Sequence, residues 1–127
     1  MREILFRGKC QTGEWVEGGF LNRNGKPEII DFDRAEEGDV TFCTPVDPTT
    51  VGQFTGLTDK NGVKIFEGDV VLVEKFRKGV IRCLEKEALF AVDFSSHLLR
   101  LCDTTSDYIE IIGNIHDNPE LLEGGIC

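Results

Sequence analysis

The residues best able to hold a metal or attack an electrophile are two histidines and five cysteines, and their spacing favours neither chemistry. A zinc site takes about four nitrogen and sulfur ligands in fixed geometry. His97 and Cys102, joined by Cys83 or His116, would form such a set only if the fold gathered them. No Cys-x-x-Cys pair gives a local start. The reading is surface histidines, free thiols, no metal and no cofactor. Cysteine catalysis needs a thiolate beside a base in an electropositive niche. Lys9-Cys10 and Arg82-Cys83 are adjacent pairs, but neighbours along a strand face opposite ways. Asp59, Glu67 and Asp69 offer carboxylates for acid–base work or a divalent cation. The structural alternative is stronger: Asp59 braces a turn, and Asp69 bonds to backbone at a bend. No catalytic residue is expected.

One basic cluster remains, Lys75-Phe76-Arg77-Lys78, with Arg82 across a hairpin. Cations around an aromatic are what single-stranded nucleic acid uses for phosphate and base contacts. Against this stands the charge of the whole chain. Its 127 residues carry a net charge of −9, with a pI near 4.7, and the acid is spread along both halves. Nucleic acid binding rests on displacing counterions with a basic surface, so it is disfavoured. Lys75, Arg77, Lys78 and Arg82 stay as contact residues for that alternative only.

Size and composition bound the architecture that must position these groups. The length suits one domain with a real core, and 40% hydrophobic with 29% charged residues is ordinary for a folded protein. The odd, scattered cysteines suit a reducing compartment, with no disulfide within the chain. Met1-Arg2-Glu3 leads straight into a strand-like run with no apolar signal segment. No apolar stretch approaches the roughly 18 residues of a membrane span. A cytoplasmic protein without membrane contact is expected.

The elements read as short strands. Ile4 and Phe6 suggest a strand with one buried face. Glu14–Glu17 resumes an extended pattern that Gly18-Gly19 breaks. Trp15, the single tryptophan, fits a core or interface anchor. Asn22–Gly25 is a turn, Ile29–Phe32 a strand and Asp33–Asp39 an acidic solvent loop. Thr41-Phe42-Cys43 pairs before Pro45. Asp47 caps a helical turn begun by Pro48. Asn61-Gly62 marks a two-residue hairpin turn between Phe54–Leu57 and Val63–Phe66, with positive φ at Gly62. Gly68 bends the chain into Val70–Val73. Lys78-Gly79 separates that strand from Val80–Cys83, and Glu85–Glu87 turns into Leu89–Phe94. His97–Cys102 is a helical turn within a loop, and Tyr108–Ile115 is the last strong strand. Asn118 caps a turn through Leu122 whose leucines plug one end of the sheet, and Gly124-Gly125 leaves a loose tail. The expected core is Ile4, Phe6, Phe54, Leu57, Ile65, Val71, Val73, Ile81, Phe90, Val92, Ile111 and Ile115.

Four blocks also carry a family likeness. They are Met1–Arg7 (MREILFR), Gln53–Gly62 (QFTGLTDKNG), Ile65–Val70 (IFEGDV) and Ile112–Leu122 (IGNIHDNPELL). In this order they resemble the YopX family, small proteins encoded by phages and prophages. The likeness spans nearly the whole chain, leaving the stretch between Gly25 and Pro45 unmatched. It implies a mostly β fold, a cytosolic product of a phage or prophage gene, and no established enzymatic activity. It supplies no catalytic residue.

The fold class expected is mainly β. A short-stranded barrel, SH3-like in the C-terminal part, follows an extra N-terminal β segment, with one or two short helical turns. Residues 1–127 form one domain, with 1–50 as the N-terminal segment and 51–127 as the barrel core. The expected role is that of an accessory protein working by contact with another protein, or with itself as a homo-oligomer, without catalysis. A nucleic-acid-associated barrel module is the alternative.

Overall fold

The computed structural model describes residues 4–30, 43–84, 86–95 and 97–122. The expected acidic loop Asp33–Asp39, the pairing of Thr41 and Phe42, the ends at Met1–Glu3 and Gly124-Gly125, and Cys127 lie outside them. The chain divides into two compact units, Met1–Phe54 and Thr55–Cys127. Both are built from antiparallel strands.

In the first unit, β1 (Phe6–Lys9), β2 (Trp15–Arg23), β3 (Lys26–Ile30) and β4 (Cys43–Pro45) pair in the order β4-β3-β2-β1. The start of β5 (Gly52–Thr58) lies on the other side of β1, with Phe6 opposite Gln53. Asn24 and Gly25 both take positive φ, 53° and 82°, between paired Arg23 and Lys26. That is the two-residue turn whose twist matches the strands it joins. The Asp47 carboxylate accepts from the Thr49 N–H at 3.0 Å and caps the 3-10 turn Pro48–Thr50, as the sequence implied.

The second unit holds the rest of β5, then β6 (Lys64–Phe66), β7 (Asp69–Val73), β8 (Arg77–Leu84), β9 (Leu89–Asp93), β10 (Leu98–Arg100), α1 (Asp103–Ser106) and β11 (Ile109–Asn114). Five of these form a sheet in the order β10-β9-β8-β7-β11, so the last strand lies beside the first. Ile65, Val71, Val73, Ile81, Val92, Phe94, Leu101 and Ile109 make its core, with Leu57, Phe90, Leu99 and Ile111 packed against them.

The mainly β expectation holds, but the barrel does not close. Among the described residues, β10 and β11 are the edges of the five-stranded sheet and do not pair with each other. Closure needs edges that exchange hydrogen bonds along a consistent stagger. Here one edge is three residues long, and the other shifts register between Ile111 and Gly113.

Other expectations change in detail. Phe54, Ile65, Val71, Val73, Ile81 and Val92 are buried, and Phe6, Leu57, Phe90, Ile111 and Ile115 are half-buried. Ile4 is 69% exposed, while Leu5 is buried. The two sit just before β1, where an offset of one residue changes the face presented. The Asn61-Gly62 turn is a three-residue connection in which only Gly62 (φ 82°) is left-handed. Asp59 N–H donates to Val63 O at 2.8 Å, and Gly62 N–H to Asp59 O at 3.0 Å.

The sequence marks Gly18 and Gly79 as breaks, yet both lie inside strands. A Cβ on Gly18 would strike the Ile30 backbone, and one on Gly79 would sit 2.5 Å from Val92 Cγ1. These glycines permit close approach rather than a turn. His97–Cys102 contains β10 rather than a helical turn, and the helix follows it at Asp103. Asn118 does not reach forward as a cap. Its Oδ1 accepts from the N–H of Asn114 at 3.3 Å.

Candidate functional site

The conspicuous end of the second unit is built by three connections. β7 stops at Val73 and β8 starts at Arg77, so Glu74, Lys75 and Phe76 form the tip between them. Glu74 and Lys75 take positive φ, 56° and 76°, without being glycine. The left-handed region costs about 1–2 kcal/mol for such residues. Phe76 N–H donates to Val73 O at 3.4 Å and closes the tip. Phe76 itself is 76% exposed. Glu74 N–H donates to Tyr108 O at 3.0 Å, which sets Tyr108, 62% exposed, beside the tip. The third connection joins β9 to β10, where Phe94 N–H donates to His97 O at 3.0 Å.

Arg77 ties the tip to that third connection. Its Nη2 lies 2.6 Å from His97 Nε2, and its Cζ sits 4.3 Å above the ring of buried Phe94. The Phe94 and His97 rings are 5.0 Å apart and tilted. A guanidinium offers donors only, so in this contact His97 Nε2 stands on the acceptor side. The other basic residues singled out from sequence go elsewhere. Lys78 Nζ donates to Leu121 O at 3.0 Å, and Arg82 Nε pairs with Asp93 Oδ2 at 3.0 Å. Lys75 is exposed at the tip. Along β8 Arg77 faces one way and Lys78 and Arg82 the other, so the four do not share one face.

The carboxylates are structural. Asp59 is buried, and its Oδ1 accepts from the N–H groups of Asn61 and Val63, both at 2.9 Å. Its Oδ2 accepts from Ile111 N–H at 3.0 Å, which pins the β5–β6 connection to β11. Asp69, also buried, accepts from Phe66 N–H at 2.8 Å and holds the bend. Glu67 is half-buried beside them. Among the described residues, no group of three or more His, Cys, Asp or Glu is placed to hold a metal ion.

Cys10, Cys43, Cys83 and Cys102 are half-buried cysteines outside any disulfide. Cys102 stands out. Hydrogen bonding from the Thr104 hydroxyl, 3.2 Å from Sγ, and then from Thr105 lowers its pKa from 9.0 to about 7. The sequence reading missed this. Its signal was Cys102-Asp103-Thr104-Thr105, in which a polar group precedes a helical turn and a hydroxyl follows three residues later. Thr105 Oγ1 does accept from Cys102 N–H at 2.8 Å. In the first unit, Cys10 is lowered by the Thr12 hydroxyl 3.0 Å away. It lines a cleft of about 380 Å³ with Lys9, Gln11, Pro45, Val46 and Asp47. Trp15 lies near that cleft, half-buried, with Arg7 Cζ 4.8 Å and Lys9 Nζ 5.9 Å from its ring centre. Sequence reading missed this cation pair too, although its spacing of two along β1 was the signal.

No helix among the described residues is long and apolar enough to cross a membrane. A family model described as YopX protein matches residues 5–123. The crystal structure of protein EF1440 from Enterococcus faecalis is similar, with 27% identity and a TM-score of 0.57. The match covers 97% of this chain and 100% of that one. No curated protein matches.

Proposed function

Because the chain belongs to the YopX family, we propose that it is a phage or prophage accessory protein that binds another protein chain and catalyses no reaction. The observation that carries this reading is the exposed pair Phe76 and Tyr108 at one end of the second unit. Large aromatics held out by a rigid turn are typical anchors of protein interfaces. The left-handed turn that presents Phe76 adds support, since strained backbone concentrates at functional sites. The family blocks point the same way by their roles. Asp59, Asp69 and Asn118 spend their side chains on backbone N–H groups, and so serve the fold rather than a substrate.

The last strand beside the first, with a helical turn before it, supports the narrower reading of an SH3-like module in the second unit. The working place is the bacterial cytoplasm, and the partner is a host or phage protein or a second copy of this chain. Crosslinked affinity capture from infected or lysogenic cells tests the reading. A specific protein should be captured by the wild type and lost from a Phe76→Ala, Tyr108→Ala double variant. Capture that ignores the double variant would move the contact elsewhere.

The alternative, a nucleic-acid-associated module, has one observation in its favour: the cations Arg7 and Lys9 over Trp15. The net charge of −9 weighs against it. Fluorescence anisotropy with labelled oligonucleotides should give dissociation constants weaker than about 10 µM at physiological salt, near the non-specific range. Submicromolar binding would reverse the preference.

A further inference from the structure

We infer that Arg77 and His97 form a pH-sensitive latch over the buried Phe94 ring, closed while His97 is neutral and opened when it takes a proton. The register places the pair. Arg77 lies opposite Val73, and Val73 opposite Ile109, both buried, so the arginine is on the core face of the sheet. Phe94 is on that face too. A Cβ on Gly79, two residues along from Arg77, would sit 3.0 Å from Phe94 Cδ1. Arg77 is half-buried, with Cζ 4.3 Å above the Phe94 ring and Nη2 2.6 Å from His97 Nε2. Two polar side chains thus close one end of the core.

What they hold shut is the near end of an edge strand. β10 has three residues and lies at the margin of the sheet. Its far end is fixed by Leu101 N–H to Phe90 O at 3.0 Å and by the Thr105 hydroxyl to Arg100 O at 3.1 Å. Its near end is tied through Phe94 N–H to His97 O at 3.0 Å, across a connection in which Ser95 is left-handed, φ 73°.

A protonated imidazole donates at both nitrogens and accepts at neither. Protonating His97 therefore removes the acceptor and sets a second cation against a guanidinium that keeps its own charge. The charged groups of the neighbouring elements have other places. Asp93, Arg82 and Arg100 lie on the opposite face, where Asp93 accepts from Arg82 Nε and Ser95 N–H. Lys78 bonds to Leu121 O, and Glu110 pairs with Lys60. Glu74 and Lys75 stand exposed at the tip with opposite charges, and Asp107 is exposed after α1. Cys102, beyond β10, changes charge near pH 7 and needs its own control. Opening takes up a proton, so the latch is closed above the imidazole range and opens as pH falls through it.

The test is amide exchange of the full chain, read by nuclear magnetic resonance between about pH 8 and about pH 5.5 and corrected for the intrinsic pH dependence of exchange. Protection of the Phe94 N–H should fall about tenfold across that range, the worth of one hydrogen bond to a charged group. The Asp47 N–H, bonded to Lys9 O in the first unit, should keep its protection. His97→Gln retains an acceptor and does not titrate, so it should hold Phe94 protected throughout. Arg77→Gln removes the facing cation and should also flatten the response. His116→Gln and Cys102→Ser should respond as the wild type does. Urea melts separate a lost latch from lost folding, and if one glutamine variant at the latch fails to fold, the other decides. A flat wild-type response, an equal fall at Asp47, a fall that survives His97→Gln, or one that disappears with His116→Gln or Cys102→Ser overturns the proposal.

Discussion

Two hairpin connections in the second unit use charged residues in opposite ways. In the connection after β5, Asp59 folds inward and bonds three backbone N–H groups, one of them on β11. In the connection after β7, Glu74, Lys75 and Phe76 project outward, and the backbone bears left-handed torsions at two ordinary residues. The first lies within a block of the family likeness and the second lies outside all of them. The difference teaches that the residues of that block maintain the scaffold, while the contact surface proposed above lies on positions outside the blocks of the family likeness.

Substitutions break or sharpen that contrast, and the largest effect should come from Asp59. Asp59→Ala leaves three N–H groups without their acceptor, each orphan costing about 1–3 kcal/mol when buried. Partial solvation of the turn reduces the total, and urea melts should show about 3 kcal/mol lost. A loss below about 1 kcal/mol would mean that the turn stands without its carboxylate. Gly79→Ala comes next, because its Cβ would press on Val92 and Phe94 inside the sheet. Overpacking of that kind costs about 1–3 kcal/mol. A neutral result would show that β8 and β9 can part without penalty. Phe76→Ala should lie within about 0.5 kcal/mol of wild type, as exposed positions do. A larger loss would place Phe76 in the folded interior and erase the contrast.

A fourth prediction concerns pH. The Cys102 thiolate is favoured by its threonine hydroxyls, so its pKa lies below the ordinary value. The thiolate is the reactive form. Alkylation of Cys102 by iodoacetamide should therefore accelerate as pH rises and reach half its limiting rate near pH 7 rather than near 9.0. Thr104→Val should move that midpoint upward. Peptide mapping by mass spectrometry reads both, and a midpoint that Thr104→Val leaves in place would discard the hydroxyl as its cause.

The scaffold was largely legible in the sequence, and the candidate site was less so. Asn61-Gly62, Gly68-Asp69 and Asp47-Pro48 announced their turns because each turn is local and needs a residue type that its neighbours do not supply. Gly18 and Gly79 misled because a glycine kept for close packing looks the same in sequence as one kept for a turn. The reason lies in the carbonyl of Ile30 and the side chain of Val92, on other strands. The basic run Lys75–Lys78 was visible, but its dispersal was not. Arg77 finds His97 and Lys78 finds Leu121, far along the chain, and no local spacing encodes either meeting. Tyr108 was read as part of a strand. Its place beside the tip comes from the Glu74–Tyr108 hydrogen bond, again a contact across the sheet.

The most direct test of the central claim compares two variants side by side for folding and partner capture: Asp59→Ala, and the double variant Phe76→Ala, Tyr108→Ala. The double variant should melt in urea at a midpoint close to wild type and lose the captured protein. Asp59→Ala should melt early, yet retain capture under conditions where it is still folded. A double variant that keeps its partner, or an Asp59→Ala protein that melts with wild type, would contradict the division between scaffold and contact surface.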